Sequence, residues 1–348
     1  MRNVITSTNN TKDVNLRAID EYVGRQHNLY KKNLIKGMSE KVYRYVSQAV
    51  PLYSDKIILA ESYHPSNYYK LEKPVLGIVD VSPVNSSENI NQYLFNLNGH
   101  IPEATVFVGC YAIDDLQEQK HKSFIKRSLH FQRVKKNRLI SKAEALGRLV
   151  YAGFSIIDFK EIEGLLYFMT MKVKNAPGAQ EGCSTGFLFP MTRIGQEGKE
   201  LKVFKFRTMH PYSQYLQDYV VRLNGYNSTG KPAGDFRLTS WGRFFRKYWL
   251  DELPQLINLF KGELALVGVR PLSHTRFSEL PKEVQELRVK FKPGCIPPYV
   301  SLLMPDSSGN IKAEWIYMNE RLEKGFRTDI KYFLLAIRNI LAGRITSS

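Results

Sequence analysis

Two adjacent acids, Asp251 and Glu252, open the segment LDELPQLINLF, whose apolar residues recur at helical spacing. A helix amino terminus keeps a carboxylate ionised, which is the state that a nucleophile or a metal ligand requires. The same position also suits a structural role, in which Asp251 caps the helix and Glu252 complements its dipole. The pair is therefore a candidate reacting centre, and spacing alone leaves both interpretations open.

Strong cations precede these acids in the sequence. The charged residues within the sixteen positions before Asp251 are Asp235, Arg237, Arg243, Arg246 and Lys247. Guanidinium forks bind phosphoryl oxygens bidentately, and a carboxylate can hold Mg²⁺, which neutralises charge that develops on phosphorus. The combination indicates phosphate chemistry.

Further cations occur in two other blocks. RIGQEGKELKVFKFRTM predicts a turn and then a strand that presents Lys205 and Arg207 on one face, where they suit a phosphate or form a solvated strand edge. ELALVGVRP predicts a strand followed by a rigid turn that carries Arg270, as an anion clamp or an ordinary surface turn. By contrast, GYNSTGK is followed by Pro232 where a Walker loop needs Ser or Thr, so we reject nucleotide hydrolysis by that route.

The elements before this region alternate between short β-rich runs and helical patterns, which predicts an α/β fold with a parallel sheet. Amphipathic helices are predicted from Ala18 to Val50. The later elements are the strands KIILAES, VLGIVDV and TVFVGCYA, the helices NINQYLFNLNG and ISKAEALGRLVYAGF, and the strands FSIIDFKEI and GLLYFMTMKV. Ser141 and Glu144 are the predicted capping box of the second of these helices.

The order of these elements resembles the second half of a Rossmann-like methyltransferase. A glycine-rich cofactor loop is missing from the sequence, which favours a structural or partner-docking remnant over an active methyltransferase. KNAPGAQEGCSTG has the composition of a linker. The predicted organisation is a Rossmann-like domain (residues 1–173), a linker (174–186) and a second, mixed α/β domain (187–348).

Composition restricts the partners and the compartment. A formal net charge of +17 favours anionic partners, and the surplus is concentrated between Lys120 and Arg148, either as a solvated helix face or as a surface for an anionic membrane. The sequence shows no membrane-spanning run and no signal-peptide pattern, which predicts a cytoplasmic protein. The cysteines lack paired spacing and are predicted to be ordinary buried thiols: Cys110, Cys183 and Cys295.

The carboxyl-terminal half resembles the bacterial sugar transferases. These are the polyprenyl-phosphate sugar-1-phosphate transferases of the monotopic phosphoglycosyl transferase type, which begin capsule, O-antigen and exopolysaccharide assembly. The resemblance rests on the blocks RIGQEGKELKVFKFRTM, DFRLTSWGRFFRKYWLDELPQLINLFKGELALVGVRP and KFKPG, which occur in family order between about Phe187 and Leu341.

The resemblance implies a mechanism and roles for named residues. Asp251 would attack the sugar-bearing phosphorus of a UDP-sugar, release UMP and form a covalent phosphosugar ester, which a polyprenyl phosphate then takes up. Glu252 would act with Asp251 at the catalytic centre and hold Mg²⁺. The residues that would bind phosphates and the uridine side are Lys205, Arg207, Arg237, Arg246 and Arg270.

Three departures from the family pattern bear on membrane contact and substrate choice. The usual re-entrant membrane helix is replaced by GLLYFMTMKVKNAPGAQEG, the usual G-P-R-P reads GVRP, and the usual P-G-[IL]-T-G reads PGCIP. The protein is therefore expected to lie peripherally on the inner face of the cytoplasmic membrane. It would reach lipid through the basic segment between Lys120 and Arg148, through the carboxyl-terminal segment YFLLAIRNILAGR, or through a membrane partner protein.

Two other functions are compatible with parts of the sequence. A catalytically silent scaffold of a polysaccharide assembly complex is the first alternative, and retention of both Asp251 and Glu252 argues against it. A nucleic-acid-binding protein is the second, which charge favours but which no nucleic-acid motif supports, so no nucleic-acid partner is expected.

Overall fold

A computed structural model describes residues 29–60, 75–114, 139–178, 183, 185–225 and 232–345. The chain divides into two compact units, Met1–Glu181 and Gly182–Ser348, and the division falls within the predicted linker. Several predicted features lie outside the described residues: the helical pattern over 18–28, the greater part of the basic segment (120–138), and residues 226–231 of the rejected Walker-like loop.

The first unit contains a five-stranded sheet. Helical residues 29–37 precede its elements, which are α1 (Glu40–Ala49), β1 (Ile57–Ala60), β2 (Gly77–Pro83), α2 (Ile90–His100), β3 (Val106–Ala112), α3 (Lys142–Tyr151), β4 (Phe154–Ile162) and β5 (Leu165–Lys172). The strand order is β1-β2-β3-β5-β4, with β1, β2 and β3 parallel and β5 antiparallel to both of its neighbours. The predicted α/β class is confirmed.

Local capping explains where the helices of this unit begin. The side chains of Ser39, Asn89 and Ser141 each accept a hydrogen bond from a backbone N–H in the first turn of α1, α2 and α3. Ser141 is the predicted cap of α3. Its predicted partner Glu144 instead accepts hydrogen bonds from Arg148, at 2.9 Å to Nε and 2.6 Å to Nη2.

Asn98 attaches the residues after β5 to the first unit. Its side-chain amide nitrogen donates to the carbonyls of Ala152 and Lys174, and its oxygen accepts from the backbone N–H of Ala176. Asn98 is fully buried, so each of these bonds satisfies a polar group that is removed from water. The first residues of the predicted linker are therefore fixed to helix α2 of the first unit.

The second unit combines two small β-ribbons with helices. Its elements are β6 (Leu188–Ile194), β7 (Glu200–Phe206), α4 (Gln217–Asn224), α5 (Ser240–Lys247), α6 (Gln255–Phe260), β8 (Ala265–Val267), α7 (His274–Ser278), α8 (Lys282–Arg288), β9 (Gly294–Ile296), α9 (Pro298–Leu302), α10 (Ser307–Lys324) and α11 (Phe326–Leu341). Strands β6 and β7 form an antiparallel hairpin, of which the sequence predicted the turn and the second strand, and β8 pairs with β9 in parallel.

Buried tyrosines of α10 and α11 support the β8–β9 pair. Tyr317 and Tyr332 pack edge to face with ring centroids 5.1 Å apart, and both contact the cluster that contains Val267 and Val269. The Tyr317 hydroxyl also donates to Asp329 at 2.6 Å.

None of the helices formed by the described residues has the length and apolar character needed to cross a bilayer.

Close backbone contact between β8 and β9 requires glycine at two positions. A Cβ added at Gly268 would lie 2.6 Å from the carbonyl oxygen of Lys292, and one added at Gly294 would lie 2.6 Å from the Cα of Gly268. Both obstacles are backbone atoms, which cannot rotate away as a flexible side chain can. The β8–β9 pair thus fixes the position of two cavity residues: Arg270, which follows β8, and Cys295, which lies in β9.

We expect Gly294→Ala to lower the free energy of unfolding of the second unit by about 1–3 kcal/mol, because the new methyl group forces the strands apart. Urea unfolding measures this change. Gly186→Ala is the matched control, since the nearest atom to its added Cβ is 3.9 Å away, and it should have little effect. If Gly294→Ala and Gly186→Ala had the same unfolding free energy, the close contact between β8 and β9 would not require glycine at position 294.

Candidate active site

Asp251 and Glu252 lie in a short 3₁₀ turn, Leu250–Glu252, between α5 and α6. This corrects the prediction that they belong to the first turn of the helix, because α6 begins only at Gln255, after Pro254. Trp249 precedes the turn with a φ of 61°, a left-handed conformation that is uncommon for a bulky residue. Its side chain packs against the apolar cluster of Tyr299 and Val300, so core packing holds the backbone that leads into the acids.

The orientation of α6 is also unexpected. Its polar residues Gln255 and Asn258 are buried, whereas the predicted apolar stripe is largely exposed to solvent. The exposed members of that stripe are Leu253, Leu256, Ile257 and Phe260. Asn258 explains the arrangement, because its side chain donates to the carbonyl of Lys202 and accepts from the backbone N–H of Phe204 in β7.

A cavity of about 250 Å³ contains both acids in its wall. The charged side chains that line it are Arg193, Lys205, Arg207, Arg246, Asp251, Glu252 and Arg270. Five cations against two carboxylates give the wall a formal charge of +3, which favours an anionic ligand. Four of the predicted phosphate-binding residues are thus brought together with both predicted catalytic acids.

Glu252 is held from two sides. Its Oε1 accepts a hydrogen bond from Lys205 Nζ at 2.5 Å, and its Oε2 accepts one from Gln255 Nε2 at 2.5 Å. The Lys205 and Glu252 side chains are about four-fifths buried, so solvent screens this ion pair less than a surface pair. The contact fixes the orientation of the Glu252 carboxylate and places the Lys205 ammonium against it.

Asp251 is almost completely buried, and among the charged neighbours of Arg246 it has the largest electrostatic effect on that guanidinium. Burial lowers the pKa of the Arg246 guanidinium, and the neighbouring Asp251 carboxylate raises it. Arg246 Nε donates to the hydroxyl of Thr208 at 2.9 Å, which orients the guanidinium. A carboxylate and a guanidinium thus share the innermost part of the cavity.

Aromatic rings and backbone atoms position two further arginines. The Arg207 guanidinium lies 4.7 Å from the Phe189 ring centroid, and its Nε donates to the carbonyl of Gly186 at 2.9 Å. Arg270 lies 5.7 Å from the Tyr299 ring centroid. Cation–π contacts of this kind restrict a guanidinium while they leave its remaining N–H groups able to donate.

The backbone of Arg270 is fixed by a buried ion pair between Arg288 and Glu314. Glu314 Oε1 accepts from the Arg270 N–H at 2.8 Å, and Arg288 Nη2 donates to the Arg270 carbonyl at 2.5 Å. Arg288 and Glu314 are in direct contact, and each is about 95% buried. The Arg288–Glu314 pair therefore fixes the backbone position from which the Arg270 side chain extends into the cavity.

Arg237 does not belong to the described part of the cavity wall, in contrast to the prediction that it binds substrate. Its side chain is 2% exposed. It donates to Asp235 through Nε at 2.8 Å and Nη2 at 2.7 Å, and to Gln217 through Nη1 at 2.7 Å. With its donors directed at these partners, Arg237 stabilises the loop before α5 instead of contacting a ligand.

Sequence reasoning missed three features of the site. Arg193 is the first residue of the block RIGQEGKELKVFKFRTM and lines the cavity. Burial and the charge of Arg270 both lower the pKa of Arg193. Gln255 lies in the DELPQ motif, where its spacing of three residues from Glu252 could have indicated the contact. The Arg288–Glu314 pair joins residues that are distant in sequence, and nothing local identifies it.

The cysteines differ from the prediction in part. Cys110 is buried as expected, but Cys183 and Cys295 are only half-buried, and Cys295 lines the cavity. Burial raises the pKa of the Cys295 thiol to about 11, and the Glu252 carboxylate contributes to the increase. At neutral pH this thiol is protonated, so Cys295 is a poor nucleophile compared with an ionised carboxylate.

The two acids fit a divalent cation only in part. Among the described residues, no group of three or more His, Cys, Asp and Glu side chains gathers around one point. Mg²⁺ is commonly held by one or two carboxylates together with substrate phosphates and water. Glu252, with Asp251 beside it, fits that pattern once phosphates complete the ligand set, although Lys205 now lies where a cation would approach Glu252.

Comparison with known families agrees with this arrangement. The sequence profile described as bacterial sugar transferase matches residues 166–343, which is about half of the chain and includes every residue of the cavity wall. The chain belongs to the bacterial sugar transferase family. The match begins within β5 of the first unit and continues through α11. The family resemblance predicted from the sequence blocks is confirmed.

Several curated members of the bacterial sugar transferase family are similar to parts of this chain. The galactosyl transferase CpsE of Streptococcus agalactiae is 31% identical over 45% of the chain and 35% of its own length. The UDP-glucose:undecaprenyl-phosphate glucose-1-phosphate transferase of Escherichia coli is 39% identical over 31% of the chain and 21% of its own length. The undecaprenyl-phosphate galactose phosphotransferase of Salmonella typhimurium is 42% identical over 23% and 18%. The chain thus aligns with about a third or less of each of these relatives.

Proposed function

We propose that this protein transfers a sugar-1-phosphate from a UDP-sugar to a polyprenyl phosphate through a covalent ester on Asp251. The observation that carries the proposal is the position of Asp251, a buried carboxylate in the wall of a cavity that also contains Glu252 and five cations. The names of the relatives from Escherichia coli and Salmonella typhimurium, both of which include undecaprenyl phosphate, support the same substrate class.

In the first step, an oxygen of Asp251 attacks the phosphorus that carries the sugar. The phosphorus–oxygen bond to the UMP portion breaks, UMP leaves with the bonding electrons, and a phosphosugar ester remains on Asp251. In the second step, a phosphate oxygen of the polyprenyl phosphate attacks the same phosphorus. The ester bond breaks, the Asp251 carboxylate is regenerated, and a polyprenyl diphosphate sugar is released. Covalent catalysis of this kind divides one difficult displacement into two easier ones.

The cations of the cavity would stabilise the charge that develops on the phosphoryl oxygens. Arg246 interacts electrostatically with Asp251, and Arg193 and Arg270 interact with one another, so these two arginines suit the second phosphate of the donor. Glu252 would hold Mg²⁺, which when bound neutralises negative charge on the diphosphate. Gln255 and Lys205 keep the Glu252 carboxylate in one orientation.

A cellular role follows from these substrates. We propose that the protein initiates assembly of a capsule, exopolysaccharide or O-antigen from the cytoplasmic side of the membrane, where UDP-sugars are available. It would associate peripherally with the inner face of that membrane. The first unit would act as a structural or partner-docking domain beside the transferase unit.

Product analysis tests the proposed reaction. The protein would be incubated with a panel of UDP-sugars and Mg²⁺, with and without undecaprenyl phosphate, and released UMP would be measured. We expect a small, roughly stoichiometric release without acceptor and sustained release with it, because the ester on Asp251 accumulates until an acceptor removes it. Absence of UMP release with every donor and acceptor would reject the transferase function.

We also expect Lys205→Gln to raise the affinity of the donor-free protein for Mn²⁺ by about tenfold, because the ammonium no longer competes for Glu252. Electron paramagnetic resonance of free Mn²⁺ measures binding without any turnover. Lys202→Gln is the matched control, since Lys202 is an exposed lysine of the same strand and should leave the affinity unchanged. Unchanged binding in Lys205→Gln would contradict competition at Glu252.

A further inference from the structure

A stretch of the cavity wall carries no formal charge. Residues 208–214, with the sequence TMHPYSQ, contain no Lys, Arg, Asp or Glu, and we refer to them as the neutral segment. Its members that line the cavity are Thr208, Met209, Ser213 and Gln214. The charged side chains of the wall come from other parts of the chain, so the cavity has a charged part and a neutral part.

The neutral segment begins beside the reacting carboxylate. The Thr208 hydroxyl accepts a hydrogen bond from Arg246 Nε at 2.9 Å, and Arg246 interacts electrostatically with Asp251. A hydroxyl that accepts one hydrogen bond can still donate its own hydrogen. Thr208 is 5% exposed, so a ligand group that contacts its hydroxyl would be removed from water.

Gln214, at the other end of the neutral segment, has a side chain that suits hydroxyl groups. Its amide nitrogen donates to Cys183 Sγ at 3.0 Å, which orients the side chain in the cavity wall. A carboxamide has two N–H donors and an acceptor oxygen, so this contact leaves groups that can both donate and accept. A sugar hydroxyl also donates and accepts, and it is uncharged.

In-line attack on phosphorus restricts which part of the donor lies at the neutral segment. The UMP leaving group is on the side of the phosphorus opposite to the attacking Asp251 oxygen. The sugar is bonded to the same phosphorus through an oxygen beside the line of attack, so it stays near the nucleophile. Phosphates are bound by cations, whereas uncharged donors and acceptors suit the hydroxyl groups of a sugar.

Arg237 holds the neutral segment from behind, although it does not line the cavity. Its carbonyl accepts from the His210 N–H at 2.9 Å, and its Nη1 donates to the side chain of Gln217 at 2.7 Å. Between these contacts the chain turns through Tyr212, which is buried and has a φ of 62°. Such a conformation persists in a residue other than glycine only where surrounding contacts fix the backbone.

The residues after Arg237 hold the start of the neutral segment. The Thr208 carbonyl accepts from both the N–H and the hydroxyl of Thr239, each at 3.1 Å. Helix α5 approaches the same carbonyl closely, since a Cβ added at Gly242 would lie 2.1 Å from its oxygen. The neutral segment is therefore fixed at its start by Thr239, and Arg237 fixes the turn that follows.

We propose that the neutral segment recognises the sugar of the donor, and that Arg237 is the positioning residue that holds this segment in place. The inference rests on the proposed function, because a sugar lies beside Asp251 only if that residue attacks a sugar-bearing phosphorus. Thr208 and Gln214 would form hydrogen bonds with sugar hydroxyls. Arg237 would affect donor binding through His210 and Gln217, without touching the donor.

Binding of the donor with and without its sugar tests the role of the neutral segment. Asp251→Asn protein is the background, because it should bind the donor without turnover, and the donor is the UDP-sugar from which the native protein releases UMP fastest. We expect Gln214→Ala to weaken binding of this UDP-sugar by roughly five- to tenfold, because a hydrogen bond to the sugar is lost, and to leave UDP binding unchanged. Isothermal titration calorimetry measures both.

Gln92→Ala is the matched control, since Gln92 is an exposed glutamine of α2 in the first unit and should affect neither ligand. Equal weakening of UDP and UDP-sugar binding by Gln214→Ala would assign the neutral segment to the uridine side and overturn the proposal. Unchanged binding of both ligands would also overturn it, because Gln214 would then contact no part of the donor.

Gln217→Leu tests the positioning role without removing the buried Arg237 guanidinium. Gln217 is an exposed residue at the start of α4, so the change leaves the core intact. In the Asp251→Asn background, we expect it to weaken UDP-sugar binding by about threefold and to leave UDP binding unchanged, because Arg237 loses one contact with the segment. Gln217→Glu keeps an acceptor for Arg237 and should restore binding. Native UDP-sugar binding by Gln217→Leu would overturn the positioning role.

Failure of this inference can be distinguished from failure of the proposed function. UMP release by the native protein tests the transferase function and involves no variant of the neutral segment. Release of UMP by the native protein, together with unchanged UDP-sugar binding in Gln214→Ala, would reject the sugar assignment and leave the transferase function in place. Absence of UMP release with every donor and acceptor would instead reject the function itself.

Discussion

Asp251→Asn is expected to lower UMP release by on the order of 10³-fold or more, because an amide oxygen is a far weaker nucleophile than a carboxylate and forms no stable phosphoester. The substitution preserves the size of the side chain. Asp251 is 3% exposed, so the asparagine would occupy the same position in the cavity wall. Initial rates of UMP formation, with the UDP-sugar that the native protein prefers, measure the effect.

Asp218→Asn is the matched control for this substitution. Asp218 is an exposed aspartate of α4 in the same unit, and its replacement should leave UMP release unchanged. Circular dichroism and the binding of UDP establish that the Asp251→Asn variant is folded and still recognises nucleotide. UMP release within about twofold of the native rate would remove Asp251 from the chemical step.

Glu314→Ala should cause the largest loss of stability among the variants considered. The substitution leaves the Arg288 guanidinium, which is 5% exposed, without its carboxylate, and it removes the acceptor of the Arg270 N–H. Removing one partner of a buried ion pair typically costs about 3–5 kcal/mol of unfolding free energy, since a buried charge is left uncompensated. Urea unfolding of the second unit measures the loss.

Two further variants separate the contributions of Glu314. Glu323→Ala removes an exposed glutamate from the same helix, α10, and should change the unfolding free energy by less than about 0.5 kcal/mol. Glu314→Gln keeps an acceptor for the Arg270 N–H without the charge, so it should retain more donor affinity than Glu314→Ala. A cost below about 1 kcal/mol for Glu314→Ala would show that the buried pair is dispensable.

The fold of the first unit could be predicted from sequence because each of its elements is locally consistent. Short apolar strands, a capping serine at position 141 and a helix that ends near Gly99 all lie within a few residues of the observed boundaries. The sequence predicted a parallel sheet and did not predict the antiparallel insertion of β5 between β3 and β4. Local propensity alone does not specify that strand order.

The site was predictable where a motif concentrates its residues. Asp251 and Glu252 occur side by side, and Lys205, Arg207, Arg246 and Arg270 lie in blocks of recognisable composition. All six line one cavity. The structure does not place Arg237 with them, because its guanidinium bonds Asp235 and Gln217, and these contacts could not be predicted from the sequence.

The orientation of α6 could not be predicted from its pattern. Apolar spacing in a helix shows that one face is hydrophobic, and the usual inference is that this face packs on the core. In this protein, hydrogen bonds from Asn258 to β7 and from Gln255 to Glu252 turn the polar face inward. The apolar side chains are therefore exposed, which the spacing of the segment alone does not show.

In the proposed reaction, the Asp251 carboxylate becomes esterified to phosphorus. Intact-mass spectrometry of the protein after incubation with a UDP-sugar and no acceptor tests it most directly. We expect a mass increment of one sugar phosphate that peptide mapping assigns to Asp251, that disappears when polyprenyl phosphate is added, and that never forms in Asp251→Asn. UMP release at a sustained rate without any such increment, or an increment on another residue, would contradict the account.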